Sequence, residues 1–533
     1  MIETGRLNLV NPPRTSAVLP EGRLERLAKR VFTLAERPVQ VIHNPVDNSV
    51  LAAIPVCTAE DVNEAVRRAK LAQLEWAKVP ARERSKILFR FHDLLLEHQE
   101  EVLDIVQLET GKSRRHAFDE IIDCAMNAGY YAVRAPGWLA PRRAGGSFFG
   151  LTKTWEYRHP VGVVGVIAPW NYPLTMAVTE PVAALMAGNA VVLKPDPQTS
   201  FSALWVEELM EQAGFPQGLF RVLTGGGDVG AALIGGVDNV AFTGSTRTGR
   251  KVAREAAERL IGVSLELGGK NPMLVLEDAN LEAAADGAVR GAFTNSGQLC
   301  IAIERIYVHE KVYDEFARLL KNKTEALRLG STLDHRTQIG TLTVERQFEV
   351  VVNHVQDAVS KGAKILAGGK ARPDLGPLFF EPTVLEKVTP EMRVYAEETF
   401  GPVVSLYKFT DLDEAIRKAN DSEYGLNASV WTQNLARGQA VASRIQAGTV
   451  NINEAYAAAW ASMDGTMGGF KASGVGRRHG KEGLYRFTEP QTVALERVMP
   501  LSGPGWLPRG SYAKVVTRAL RFLKFVMRLR YRV

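Results

Sequence analysis

Between residues 161 and 269 the chain repeats one pattern: a short run of β-branched and apolar residues closes on Gly or Pro, and a helix-like stretch follows. The runs are VGVVGVIAP (161–169), AVVLKP (190–195), LFRVLTG (219–225), NVAFTG (239–244) and SLELGG (264–269). Stretches such as Ser202–Gln212 and Gly249–Leu260 lie between them. Strands that alternate with helices build βαβ units, so the pattern predicts a parallel, doubly wound sheet. A second series starts at residue 271 with NPMLVLED, RIYVHE, GAKILAGG, VVSLYKF, NASVWT and GTVNIN, again interleaved with helical stretches. The chain therefore reads as two α/β domains. The strand-like TKTWEYRHP (152–160) precedes the first series and ERVMP (496–500) follows the second. Val62, Ala65, Val66 and Ala69 recur at helical spacing upstream of both.

Charge narrows the function classes. A net charge of +6 invites a nucleic-acid reading, but nine Lys and Arg and no acid fall between Arg497 and Val533. Taking those nine from 65 leaves 56 basic against 59 acidic residues, so the body is net −3 and its basicity belongs to a tail. Three widely spaced cysteines, Cys57, Cys124 and Cys300, argue against a disulfide framework and for a reducing, cytoplasmic home. Met1–Pro20 is polar and carries three prolines, which suits a loose arm rather than a signal peptide. No apolar run approaches the ~20 residues that span a bilayer.

Several segments carry chemistry. Gly225-Gly226-Gly227-Asp228-Val229-Gly230 matches G-x-G-x-x-G after a strand, but no acid stands clearly about 20 residues on; a tight turn and a nucleotide loop both remain open. Phe242 to Gly249 (FTGSTRTG) closes a strand and opens a helix, offering free N–H groups to a phosphate. Glu266 precedes Leu267 and the pair Gly268-Gly269, where a ligand can approach the backbone closely. Cys300 follows a small, polar lead-in (295–299), and Asn171 lies in APWNYP just past a strand end. Taken singly, Cys300 is a small buried hydrophobe, Asn171 a turn residue, and Lys194, Glu266 and Glu398 solvated charges.

Together, APWNYP, LKP, FTGSTRTG, ELGGKNP, GQLC and EETFGPV, in this order and spacing, resemble the aldehyde dehydrogenase superfamily over about residues 40–495. The resemblance implies a Rossmann-type cofactor domain (37–141 and 164–268), an α/β catalytic domain (269–483) and a small β oligomerisation element (142–163 and 484–499). An N-terminal arm (1–36) and a basic C-terminal tail (500–533) flank them. It gives Cys300 the role of nucleophile toward an aldehyde carbon. Asn171 and the Cys300 N–H would hold the oxyanion, and Glu266 would activate the water that hydrolyses the thioester. No metal is needed. Glu266 also separates the chain from the branch that passes its acyl group to coenzyme A. Trp170, Asn171, Lys194, Pro195, Asp196 and Pro197 would meet the nicotinamide nucleotide, as would Gly244, Ser245, Thr246, Gly249, Leu267, Glu398 and Phe400. NAD-preferring relatives place a Glu three residues after the lysine; here Pro197 stands there, so nothing at that point repels a 2′-phosphate and Lys194 attracts it. NADP is the expected cofactor, with NAD as the alternative.

Within the superfamily the chain is most similar to bacterial succinate-semialdehyde dehydrogenases of the NADP type, through LCIAIERIYV, KARPDLGPLFFEPTVL, EYGLNASVW and SGVGRRHG. This implies oxidation of succinate semialdehyde to succinate, as in 4-aminobutyrate degradation, by a homo-dimer or tetramer. Two arginines of well-known members are replaced by Thr179 and Thr294, leaving Arg477, Arg478 and Lys471 as candidates for the substrate carboxylate. Tyr172, Met176, Tyr456 and Trp460 support an alternative, an apolar tunnel for aromatic or medium- to long-chain aldehydes. A catalytically idle scaffold is the reading outside enzymology; intact Cys300, Glu266 and Asn171 oppose it. In the tail, with Ser511 as the expected N-cap, Lys514, Arg518, Arg521, Lys524 and Arg528 share one helical stripe. Arg530 breaks the stripe; the pattern fits an amphipathic helix able to make peripheral contact with an anionic membrane, a helix packed on a neighbouring subunit, or a disordered extension.

Overall fold

Each run of the first series becomes a strand that ends no more than three residues before its Gly or Pro. In the computed structural model, which describes residues 19–145, 152–497, 500 and 502–531, these strands are β1 (Val163–Ile167), β2 (Ala190–Lys194), β3 (Phe220–Val222), β4 (Asn239–Thr243) and β5 (Gly262–Glu266). They lie in the order β3-β2-β1-β4-β5, all parallel. The chain winds outward from β1 to β3, then crosses back to lay β4 on the other side of β1. Neighbouring connections thus diverge between β1 and β4 and leave a crevice at their carboxyl ends, the usual ligand position in such sheets. Helix α1 (Pro173–Ala187) follows β1 with Pro173 in its first turn; nearly every residue is buried, so it runs through the interior. Helix α2 (Gly227–Gly236) follows β3 and α3 (Thr246–Glu258) follows β4.

The second series forms β6 (Asn271–Val275), β7 (Ile303–His309), β8 (Lys364–Ala367), β9 (Thr383–Glu386), β10 (Val403–Phe409), β11 (Asn427–Trp431) and β12 (Thr449–Ile452), ordered β8-β9-β10-β7-β6-β11-β12. Only β8 with β9 is antiparallel. Successive side chains point to opposite faces. Met273 and Val275 accordingly join one core with Phe293, Phe316 and Trp431, while Leu274 and Leu276 join another with Phe409, Ala428 and Val430. Both faces are covered, as a largely parallel sheet requires. A short strand, β13 (Gly474–Val475), then returns to the first sheet and pairs antiparallel with β5, Gly474 opposite Glu266. This return sets residues 473–480 beside the end of β5.

The chain divides into two compact units, Met1–Trp138 with Pro160–Thr488 and Leu139–His159 with Glu489–Val533. Strands Arg142–Ala144, Thr152–Pro160 and Thr488–Glu496 make a three-stranded sheet, with TKTWEYRHP as its long middle strand. Residues 1–18 of the expected arm, 146–151 and 498–499 of the expected oligomerisation element, and 501, 532 and 533 of the tail lie outside the described residues. Helix α4 (Arg509–Tyr531) begins two residues before the expected cap Ser511. The Pro508 carbonyl accepts from both Ser511 N (2.9 Å) and Tyr512 N (3.0 Å), so the first helical turn already starts there. No helix among the described residues is long and apolar enough to cross a membrane.

Candidate active site

Asn171 lies in the turn between β1 and α1, and buried polar groups fix that turn from both ends. The Asn171 carbonyl accepts from Lys112 Nζ at 2.7 Å and from Asn295 Nδ2 at 3.0 Å. Lys112 in turn pairs with Glu120 at 2.5 Å, both side chains fully buried, and Glu120 accepts the Thr175 N–H at 3.0 Å in the first turn of α1. Asn171 Nδ2 donates to the Gln298 carbonyl at 3.0 Å. A primary amide has two N–H groups, so the second is left for a ligand beside Cys300.

The lead-in to Cys300 is strained. Asn295, Ser296 and Gly297 are three consecutive residues in the left-handed region, with φ of 52°, 56° and 72°. A Cβ at Gly297 would sit 2.0 Å from the Gly401 carbonyl oxygen, so only glycine lets this loop lie against the one that carries Glu398 and Phe400. Side chains hold the strain in place: Ser296 Oγ donates to Gly340 O at 2.9 Å, and Gln298 bridges Asn295 O and Thr343 N. Such over-determined strain clusters at functional sites. Its effect here is to present Cys300, part-buried, at a cavity wall.

Charge around Cys300 is asymmetric. Burial pushes its thiol up to about 12, Glu266 adds to the rise, and Arg478 opposes it. Glu266 ends β5, is buried, and its Oε1 has no hydrogen-bond partner among the described residues. Burial raises its carboxyl to about 7 against the pull of Arg478. A carboxyl titrating near neutral pH is matched to general-base work.

The other predicted residues gather at the crevice. Trp170, just past β1, meets Phe400 edge to face with ring centroids 5.6 Å apart. Gly244 and Ser245 lead into α3, where Ser245 caps the Thr248 N–H and Thr246 opens the helix. Lys194 ends β2, buried, and donates to Pro195 O (2.7 Å) and Gly225 O (3.0 Å). In the G-x-G-x-x-G segment Gly225 takes a φ of 143° for a tight turn, and its carbonyl meets Lys194. Asp196 accepts from Gln198 N and burial raises its carboxyl; Pro197 starts a short turn of 3-10 helix. Leu267 fills the space beside Gly249, where a Cβ would lie 2.5 Å from Leu267 Cδ2. Glu398 accepts from Gly269 N at 2.7 Å, and a Cβ at Gly268 would stand 2.3 Å from its carboxylate. Burial, then Glu304, raises Glu398 to about 8. Glu304, paired with Lys270, positions the loop by accepting from Thr399 N and Phe400 N. An open helix N-terminus, a buried cation and a carboxyl seated in a glycine cradle fit a diphosphate with hydroxylated sugars.

Next to Cys300 opens a cavity of about 410 Å³. Tyr172, Met176, Tyr456 and Trp460, marked from sequence, all line it, with Phe293 and Met467. Of the three candidate cations only Arg478 does. Lys471 is turned to the carbonyls of Asn420 and Ser422, and Arg477 to those of Gly476 and Gly469. Arg478 Nε pairs with Glu180 at 2.8 Å, Nη2 donates to Thr179, and Nη1 lies 4.0 Å from Met176 Sδ. Sequence reasoning missed Arg115, Asp119 and Asp123, which also line the cavity. Their spacing of four along helix Arg114–Leu139 was the available signal. Burial raises both acids to about 6.

Comparison with known proteins agrees with this geometry. Residues 33–493 match the profile described as the aldehyde dehydrogenase family. A Mycobacterium tuberculosis protein named "putative succinate-semialdehyde dehydrogenase (NADP(+)) 2" is 49% identical over 508 residues, covering 95% of this chain and 97% of that one. The crystal structure of an E. coli NADP-dependent enzyme superposes with a TM-score of 0.83 at 36% identity, covering 86% of this chain and 95% of that one. The NAD+ complex of an aldehyde dehydrogenase from Bacillus cereus gives a TM-score of 0.83 at 35% identity, over 90% of this chain and 100% of that one.

Proposed function

The chain belongs to the aldehyde dehydrogenase family, and from that premise we propose that it oxidises succinate semialdehyde to succinate through Cys300, with NADP preferred over NAD. The observation that carries the substrate assignment is Arg478: among the cavity-lining residues it is the buried guanidinium, while Arg115 and Arg290 are exposed. Its Nη1 faces Met176 on the cavity side and is placed to meet a carboxylate. The guanidinium that relatives carry at position 179 thus arrives from another segment and bonds Thr179 instead.

Cys300 yields its proton to solvent and Sγ attacks the aldehyde carbon as a thiolate, while the oxygen that gains charge is held by the free Asn171 N–H and the Cys300 N–H. A nicotinamide nucleotide, when bound, supplies the hydride acceptor. Trp170, Lys194, Ser245, Thr246 and Leu267 would line its crevice, and Glu398 would hold a ribose. Glu266 then takes a proton from water, which attacks the thioester carbon, and the carboxylate leaves as Cys300 recovers its thiol. The absence of an acid at Pro197 supports NADP. The three-stranded sheet serves a homo-dimer or tetramer, which light scattering tests.

Aromatic and longer aliphatic aldehydes form the second reading, favoured by the apolar walls around Tyr172, Phe293 and Trp460. Steady-state kinetics on succinate semialdehyde, hexanal and benzaldehyde with both cofactors separates the two. We expect kcat/KM at least tenfold higher for succinate semialdehyde with NADP. The double variant Arg478→Met/Glu180→Gln, which leaves Arg486 the neutral amide at 180 as a hydrogen-bond acceptor, should raise KM for that substrate more than tenfold and change hexanal less. Equal efficiency on hexanal overturns the substrate assignment, and a strong preference for NAD overturns the cofactor.

A further inference from the structure

The enzyme chemistry leaves α4 unused, although its cations and its apolar residues are set apart along the helix. Lys514, Arg518, Arg521, Lys524 and Arg528 are spaced by four, three, three and four residues, so they form one stripe along the helix. Val515, Val516, Ala519, Leu520, Phe522, Leu523, Val526 and Met527 follow the complementary rhythm and occupy the opposite face. Two positions depart from this division: Phe525 falls on the basic side and Arg530 among the apolar positions. None of these apolar residues is buried: Phe522 is 65% exposed, Val515 58% and Met527 53%. Trp506, just before the helix, is 81% exposed. A large apolar face left in water needs an occupant.

The charge selects it. No acid occurs from Arg497 to Val533, so every ionic contact the helix offers is cationic. Cations flank an apolar face rich in Phe, Leu and Val, with a Trp at its entry; such a surface lies in the headgroup region of an anionic bilayer, apolar face inward. With no helix able to cross a membrane among the described residues, the contact is one of lying on the surface. We infer that α4 docks the protein onto anionic phospholipid membranes, the apolar face entering the acyl boundary and the Lys/Arg stripe meeting lipid phosphates.

The test is co-sedimentation of the full chain with vesicles of pure phosphatidylcholine and with vesicles holding one-third phosphatidylglycerol, at 0.05 and 0.5 M salt, with light scattering on the same samples. Binding should be at least tenfold stronger to the anionic vesicles and fall at least fivefold at high salt. Lys514→Glu/Arg521→Glu/Lys524→Glu should abolish it, and Leu520→Ser/Phe522→Ser should weaken it at least tenfold, with dehydrogenase turnover and oligomeric mass unchanged. Binding that ignores lipid charge, or no binding by the full chain, overturns the inference. So does a loss of oligomeric mass in the Leu520→Ser/Phe522→Ser variant with sedimentation intact, which would make α4 a contact with a second copy.

Discussion

Glu266 sets function against stability, and its removal should separate the two. Its carboxyl ionises at the ordinary 4.5 in the unfolded chain and at about 7 in the buried site. Because the folded value is the higher one, the site favours the protonated form. Stability associated with this group is full below about 4.5, declines as pH rises and is lost by the time pH passes about 7. That difference makes the ionised carboxylate cost about 3 kcal/mol above neutrality, at about 1.4 kcal/mol per tenfold change. Glu266→Gln keeps the shape and removes the charge. At pH 5 the variant and the parent should melt together; at pH 8 the variant should be more stable by about 3 kcal/mol. With unfolding entropy of about 2.1 cal/mol/K per residue, this is a gain of about 3 °C in Tm. Scanning calorimetry at matched scan rate at both pH values reads the pH-dependent difference, which cancels any fixed loss from the amide. The same variant should lose at least 100-fold in steady-state turnover. A Tm difference equal at pH 5 and 8, or one that moves against the variant as pH rises, would refute the claim that Glu266 is a buried, unpartnered base.

Cys300 and the Asn171 turn give two further tests. With its thiol raised to about 12 in the free enzyme, Cys300 should alkylate with iodoacetamide at a rate that climbs about tenfold per pH unit from 7 to 9; a plateau near pH 7 would contradict this. The Lys112–Glu120 pair positions Asn171 without touching substrate, so Lys112→Met/Glu120→Gln should lower kcat at least tenfold with KM nearly unchanged and the circular dichroism spectrum intact. An equal rise in KM, or a normal kcat, would remove the pair from that role.

The sheets were legible because each strand is a short apolar run that ends in a residue unable to continue it: Pro169 after β1, Pro195 after β2, Gly244 after β4. Cys300, Glu266 and Asn171 stood out through short contiguous motifs. What escaped depends on closure in three dimensions. Arg478 meets Glu180 and Thr179 only because β13 returns to pair with β5, about 300 residues from α1, and no local pattern encodes that. Arg477, one residue away along an extended segment, points the other way and faces backbone carbonyls, while Lys471 is turned to carbonyls from a 3-10 turn. The left-handed path through Asn295 and Ser296 is invisible to propensity, because its warrant is the fit of Gly297 against Gly401. The helical spacing of Arg115, Asp119 and Asp123 could have been read, but without knowing which face bordered Cys300 it looked like an ordinary solvated face.

The central claim is a covalent acyl intermediate on Cys300 that Glu266 clears. Mass spectrometry of Glu266→Gln, quenched after mixing with succinate semialdehyde and NADP, tests it most directly. One equivalent of NADPH per site should appear in a burst, with a succinyl adduct on the peptide that contains Cys300. A burst with Cys300 unmodified, or the adduct on Cys57 or Cys124, would contradict it.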